Sequence, residues 1–143
     1  MASVRRLPPL ICLLLIAVSA SACGDSGPAG PSVGLNESFT LAPGEVAVVG
    51  DDTLRVQFER VSGDNRCPAD VVCILGGDAI VHVRVFGSGG VGEYELHTGD
   101  DSLASVTHGS VRLTLESLEP FPFSSGPPIE PGDYRATFTA ESA

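Results

Sequence analysis

Cys67 and Cys73 close the segment Asp64-Asn65-Arg66-Cys67-Pro68-Ala69-Asp70-Val71-Val72-Cys73. Thiols at such close spacing support two chemistries, a disulfide or part of a metal site. A structural zinc site takes about four N or S donors, and the sequence has neither a second close Cys pair nor a Cys/His cluster. In an exported chain the disulfide is therefore the expected state. Closing so short a ring contributes roughly 2 to 2.5 kcal/mol, which secures a turn rather than a whole fold. A rigid closed loop loses little entropy on binding. That suits a protease or glycosidase inhibitor, with Arg66 or Val71 filling a specificity pocket, but it equally suits a stapled connection between strands, which is the plainer expectation. The candidate contact residues are Asp64, Arg66, Pro68, Asp70 and Val71.

Other reactive side chains are sparse. His97, Asp100, Asp101 and His108 bracket one stretch, and imidazole with carboxylate can hold a transition metal, so a small metal-dependent enzyme is one reading. Their spacing matches no ligand motif, and ordinary turn composition accounts for Gly99-Asp100-Asp101-Ser102. Asp51-Asp52 lacks the spaced acidic ladder that a calcium loop needs. His82 stands beside Arg84 in an apolar run, where a satisfied or surface imidazole is expected. No serine has a Gly-x-Ser-x-Gly context, and a glycosidase pair needs two carboxylates across a cleft. Neither a catalytic site nor a cofactor is expected.

The N-terminus carries an address. Arg5 and Arg6 precede an apolar run from Leu7 to Val18, followed by Ala20-Ser21-Ala22-Cys23, the layout of an export signal. The stretch resembles a bacterial lipobox, in which the cysteine is acylated on its thiol and becomes the mature N-terminus. Ala20 departs from the Leu usual there, and Ala20-Ser21-Ala22 also reads as a plain A-x-A cleavage site. Pro8 and Pro9 interrupt the run, which is shorter than the roughly 20 residues of a spanning helix. The expected organisation is a signal peptide over 1–22, a lipidated Cys23 with a Gly/Ser/Pro tether over 23–34, and a domain over 35–143.

Removal of the leader leaves six Arg against eighteen Asp and Glu, a formal charge of −12, with no Lys and no Trp. Nucleic acid, which needs clustered cations, is excluded as an expected partner. The absence of Lys removes Schiff-base chemistry, and the absence of Trp removes the best platform for stacking a sugar.

The elements that must position these residues are strands. Leu54, Val56 and Phe58 alternate with Arg55, Gln57 and Glu59, and the same period of two recurs at Val111-Leu113-Leu115 and Tyr134-Ala136-Phe138. The run 79–86 reads as a central strand, and 38–41, 46–49 and 93–97 as shorter ones. Turn chemistry separates them at Pro43-Gly44, Gly50-Asp51, Gly87-Ser88-Gly89-Gly90 and Pro131-Gly132. About seven strands without crossover helices predict a single antiparallel β-sandwich, immunoglobulin-like in kind. Residues 100–109 fit a helical turn or an edge loop equally. Phe121, Phe123 and Tyr134 flank the proline-rich stretch 120–131 and are expected to close one end of the sandwich.

Arg66-Cys67-Pro68, Cys73, Gly77, Phe121 between prolines, and Tyr134 in the closing strand resemble a family of small bacterial envelope lipoprotein β-domains, over Leu35 to Thr139. Leu75 stands where that family often has Trp. The resemblance implies a β-domain in the cell envelope and no activity. The expected function is a membrane-tethered, non-catalytic binding module, anchored through Cys23 and facing a possible envelope protein partner.

Overall fold

Alternation of apolar and polar side chains writes two sheets into the chain, and the computed structural model describes residues 28–51 and 54–143. The leader, Cys23 and Asp52 lie outside the described residues. The elements are β1 (Ala29–Val33), β2 (Ser38–Leu41), β3 (Val46–Val49), β4 (Leu54–Ser62), β5 (Ile80–Gly87), β6 (Gly90–His97), β7 (Ser105–His108), β8 (Val111–Glu119) and β9 (Arg135–Ser142). One sheet has the order β1-β3-β4-β5-β6 and the other β2-β9-β8-β7. The two pack face to face as a β-sandwich.

The buried set matches the expected alternation. Leu54, Val56 and Phe58 of β4 and Val81, Val83 and Val85 of β5 meet Phe39, Leu41, Leu113, Ala136, Phe138 and Ala140 from the opposite sheet. Phe138 lies at the centre, with ring centroids 5.8 Å from Phe39 and 6.3 Å from Phe58. On the outer faces polar side chains pair across strands: Thr40 bonds Thr137 at 2.8 Å, and Arg84 bridges Glu59 and Glu93 at 2.9 and 2.7 Å. Two register shifts correct the period where it would fail. The shift in β8 between Leu115 and Ser117 returns Leu118 to the core, and the shift in β4 between Phe58 and Arg60 sets Val61 opposite Val81. An extra residue at such a bulge exchanges the two faces of a strand.

Three expectations need correction. Residues 29–33, assigned to the tether, form β1, which pairs in parallel with β3 (Ser32 with Val48, Val33 with Val49). Gly-Pro-Ser composition hides this strand, because it shows no alternation and its partner is supplied by the fold. Gly30 lies so near β3 that a Cβ there would come within 2.8 Å of the Val46 carbonyl oxygen. Residues 105–108 of the undecided stretch form β7, an edge strand antiparallel to β8. Among the described residues the strands number nine, two more than the seven runs read from the sequence.

The strand directions define two poles. The end of β4, the start of β5, the end of β8 and the start of β9 lie at one pole, joined by loops 63–79 and 120–134. The β5–β6 and β7–β8 hairpins lie at the other.

Candidate functional site

The pole formed by loops 63–79 and 120–134 is organised around Arg66. Its Nε donates to Asp64 Oδ1 at 2.9 Å and its Nη2 to Asp64 Oδ2 at 2.8 Å, a bidentate pair. The remaining guanidinium donors reach across to the other sheet, to the carbonyls of Leu118 at 2.5 Å and Pro120 at 2.8 Å. Phe121 covers the guanidinium with its ring centroid 4.7 Å from Cζ, and Tyr134 Oη donates to Asp64 Oδ2 at 2.8 Å. Arginine suits this place because its planar fork satisfies a carboxylate and two carbonyls at once. The Asp64 and Arg66 side chains are 11% and 4% exposed. Arg66 is therefore an internal strut joining the two loops, not a residue presented to a protease pocket.

Asp64 and Tyr134 make the clamp sensitive to pH in opposite directions. Burial alone would raise the Asp64 pKa, but hydrogen bonds from Arg66 and Tyr134, and the Arg66 charge, outweigh it and hold the carboxyl below its ordinary 3.8. Burial, then the bond to Asp64, pushes the Tyr134 phenol up to about 12. The Asp64 contribution is complete above the unfolded value near 3.8 and is lost as pH falls through the lower folded value. The Tyr134 contribution is complete below the ordinary value of 10.0 and is lost as pH rises toward about 12. Urea midpoints measured across this range should fall at both extremes, and Asp64→Asn should flatten the acid side. An acid limb unchanged in that variant would rule out Asp64 as its source.

Beyond the strut, Cys67 and Cys73 are joined as a disulfide with Cα atoms 5.9 Å apart. The closed ring is fastened to the proline segment. Ala69 N–H donates to the Pro122 carbonyl at 2.9 Å, and the Asp70 carboxylate accepts from Ser124 N–H at 2.8 Å and Ser124 Oγ at 2.6 Å. These two bonds from Ser124 hold the Asp70 carboxyl below its usual range. At the base of the loop Gly77 adopts φ +69°, and a Cβ there would come within 2.0 Å of the Asn65 carbonyl oxygen. Only glycine fits this crossing.

So fastened, the loop points its apolar residues outward. Val72 and Ile74 are 101% and 102% exposed and Leu75 83%, while Val71, Phe121 and Phe123 are also exposed. The last two were expected to close the sandwich. Tyr134 does so, being buried, whereas Phe121 lies over Arg66 with its outer side open, and Phe123 packs outside the core. Of the candidate contact residues, Asp70 and Val71 are on the surface, Pro68 is half-buried, and Asp64 and Arg66 face inward. Sequence reasoning missed Val72, Ile74 and Leu75. The apolar run Val71-Val72-Cys73-Ile74-Leu75, which spans the second cysteine and is too short to alternate, was their signal.

Two shallow clefts accompany this pole. One, about 260 Å³, is lined by Arg66, Gly76, His97, Asp101, Glu116 and Phe121 among others, and a more apolar one, about 270 Å³, by Pro120–Phe123 and Pro127–Ile129. Both fall below the 300–1,000 Å³ usual for enclosed small-molecule sites. A surface contact fits this pole better than an engulfed ligand.

The metal reading rests on His97, Asp100, Asp101 and His108, and the fold sets His108 apart from the other three. His97 Nδ1 pairs with Asp78 Oδ2 at 2.6 Å, and Asp100 bonds Ser102. His108 is buried near the far pole, where it bonds Tyr94 Oη at 2.9 Å and the Gly90 carbonyl at 3.2 Å. Among the described residues no group of three or more His, Cys, Asp or Glu is placed to share an ion. A different row forms across β4, β5 and β6: Ser62 Oγ lies 2.7 Å from His82 Nε2, and His82 Nδ1 lies 3.6 Å from Glu95 Oε1. The second distance exceeds a hydrogen bond, and neither Ser62 nor His82 lines the two clefts. It reads as cross-strand pairing on a sheet face.

No family model matches the chain, and no curated protein or solved structure was found to resemble it.

Proposed function

We propose that the protein is an exported, membrane-tethered, non-catalytic binding module whose contact surface is the apolar pole built on the Cys67–Cys73 loop. The observation that carries this reading is the full exposure of Val72 inside the covalently closed ring and of Ile74 directly after it, the ring itself being fixed by Asp70–Ser124 and, through Arg66, to both sheets. Apolar side chains held rigidly in water gain free energy when covered, and little ordering entropy is lost on binding. The leader ending in Ala20-Ser21-Ala22-Cys23 supports export and acylation, as does the resemblance of the Arg66-Cys67-Pro68 loop to envelope lipoprotein domains.

Binding of the full chain to isolated envelopes tests the reading, in a Cys23→Ser background so that no acyl chain contributes. Adding Val72→Asp and Ile74→Asp should leave the thermal midpoint unchanged, because neither side chain is packed. Losing burial of two such residues, each about 1.5–3 kcal/mol, should weaken binding by about tenfold or more. Equal binding by the two proteins would sink the proposal.

A further inference from the structure

The strand directions bear on what covers this pole. β1 pairs in parallel with β3, so Ala29 stands opposite Val46, which itself pairs with Gln57 of β4. From Gln57, β4 runs on to Ser62 and into the stapled loop. β1 runs the other way, away from that pole. The N-terminal end of β1 is therefore directed toward the side of the stapled loop. Pro28 is held there, its carbonyl accepting from Val46 N–H at 3.3 Å.

Cys23 lies five residues before Pro28, which limits the separation of their Cα atoms to about 18 Å. The distance along β4 from the level of Pro28 to Ser62 is about 15 Å. An anchor at Cys23 can thus come level with the end of β4 and scarcely beyond it. A bilayer holding that anchor is within reach of Val71, Val72, Ile74, Leu75, Phe121 and Phe123.

The tip of the pole, Val71 to Leu75, carries no ionisable side chain, its cysteine being in the disulfide. Asp70, the one carboxylate between Cys67 and Leu75, is an exposed charge that is turned to the two bonds from Ser124. The chain has no Lys, and its mature charge of −12 gives no attraction to anionic headgroups.

We infer that this pole docks on the same bilayer that holds the Cys23 anchor, its apolar loop entering the boundary between headgroups and acyl chains, about 5–10 Å deep. This deepens the binding-module reading and rests on it, since acylated Cys23 brings the surface into reach. The domain then stands with its sheets upright on the membrane and its β5–β6 hairpin outward.

The test uses the full chain, processed in its own cell, purified and reconstituted into phosphatidylcholine vesicles. The sequence contains no Trp, so Ile74→Trp and Val91→Trp each introduce a single fluorophore at exposed positions, one on each pole. Intact-mass spectrometry reads acylation of Cys23. The expected result is an acylated protein in which the Ile74→Trp emission moves to shorter wavelength and is quenched about twofold by lipids brominated high in the acyl chain. The Val91→Trp protein should keep the emission of a water-exposed indole. An acylated protein whose Ile74→Trp emission stays that of water overturns the docking and leaves the tether standing. A blue shift without quenching by brominated lipid also overturns it, because the pole is then covered by protein. An unacylated Cys23 removes both tether and docking.

Discussion

Replacing Arg66 by alanine should cost about 3–5 kcal/mol of folding stability, the range for breaking a buried charge pair by removing one partner. The variant leaves the Asp64 carboxylate, 11% exposed, with Tyr134 as its remaining side-chain partner, and strips a donor from the carbonyls of Leu118 and Pro120. It also uncovers the inner face of Phe121. Arg66→Lys should recover only a minor part, because an ammonium cannot reach a carboxylate and two carbonyls in one plane. Urea unfolding near pH 7 measures the loss, and a double-mutant cycle with Asp64→Ala should give a combined loss smaller than the sum. A loss below about 1 kcal/mol would assign the pair to the weak class of surface salt bridges and would remove the strut as the support of the apolar loop.

Phe138→Ala is expected to have a comparable effect by a different route, about 3–5 kcal/mol from lost burial and the cavity left behind. Phe138 is fully buried and packs on Phe39 of its own sheet and Phe58 of the facing one. Its removal loosens the contact between sheets at mid-height. Against a total of about 5–15 kcal/mol for a domain, such a loss puts a measurable fraction of the chain in the unfolded state at 37 °C. Phe123→Ala provides the contrast, because Phe123 is 59% exposed and its loss should stay within about 0.5 kcal/mol. Differential scanning calorimetry of the two variants decides the matter. Similar midpoints for both would mean that the core is centred elsewhere.

The two variants also mark the boundary of what could be read in the chain. Phe138 was legible because Tyr134, Ala136 and Phe138 alternate with polar neighbours, and one buried face imposes that period on any strand. Leu54-Val56-Phe58 and Val111-Leu113-Leu115 follow the same logic, and the sandwich follows from their number and the lack of helices. Arg66 was legible as a notable residue but not in its role. Whether it faces water or the interior depends on Leu118 and Pro120, more than fifty positions away, and no local pattern carries that information. The same holds for His108, whose partner Tyr94 comes from another strand, and for the row Ser62-His82-Glu95, which exists only through the register of β4, β5 and β6.

Sequence alone thus determined seven of the nine described strands, their buried faces and the close cysteine pair, because each is a property of neighbours along the chain: a period of two, a run of turn residues, two thiols within one loop. Tertiary structure decided that residues 29–33 are a strand, that Arg66 turns inward, and that Val72, Ile74 and Leu75 stand uncovered at one pole. The physical reason is one of range. Alternation records which face of a strand is buried, whereas strand partners, register and the contents of a pole follow from contacts between segments distant in sequence, whose free energy no single segment contains.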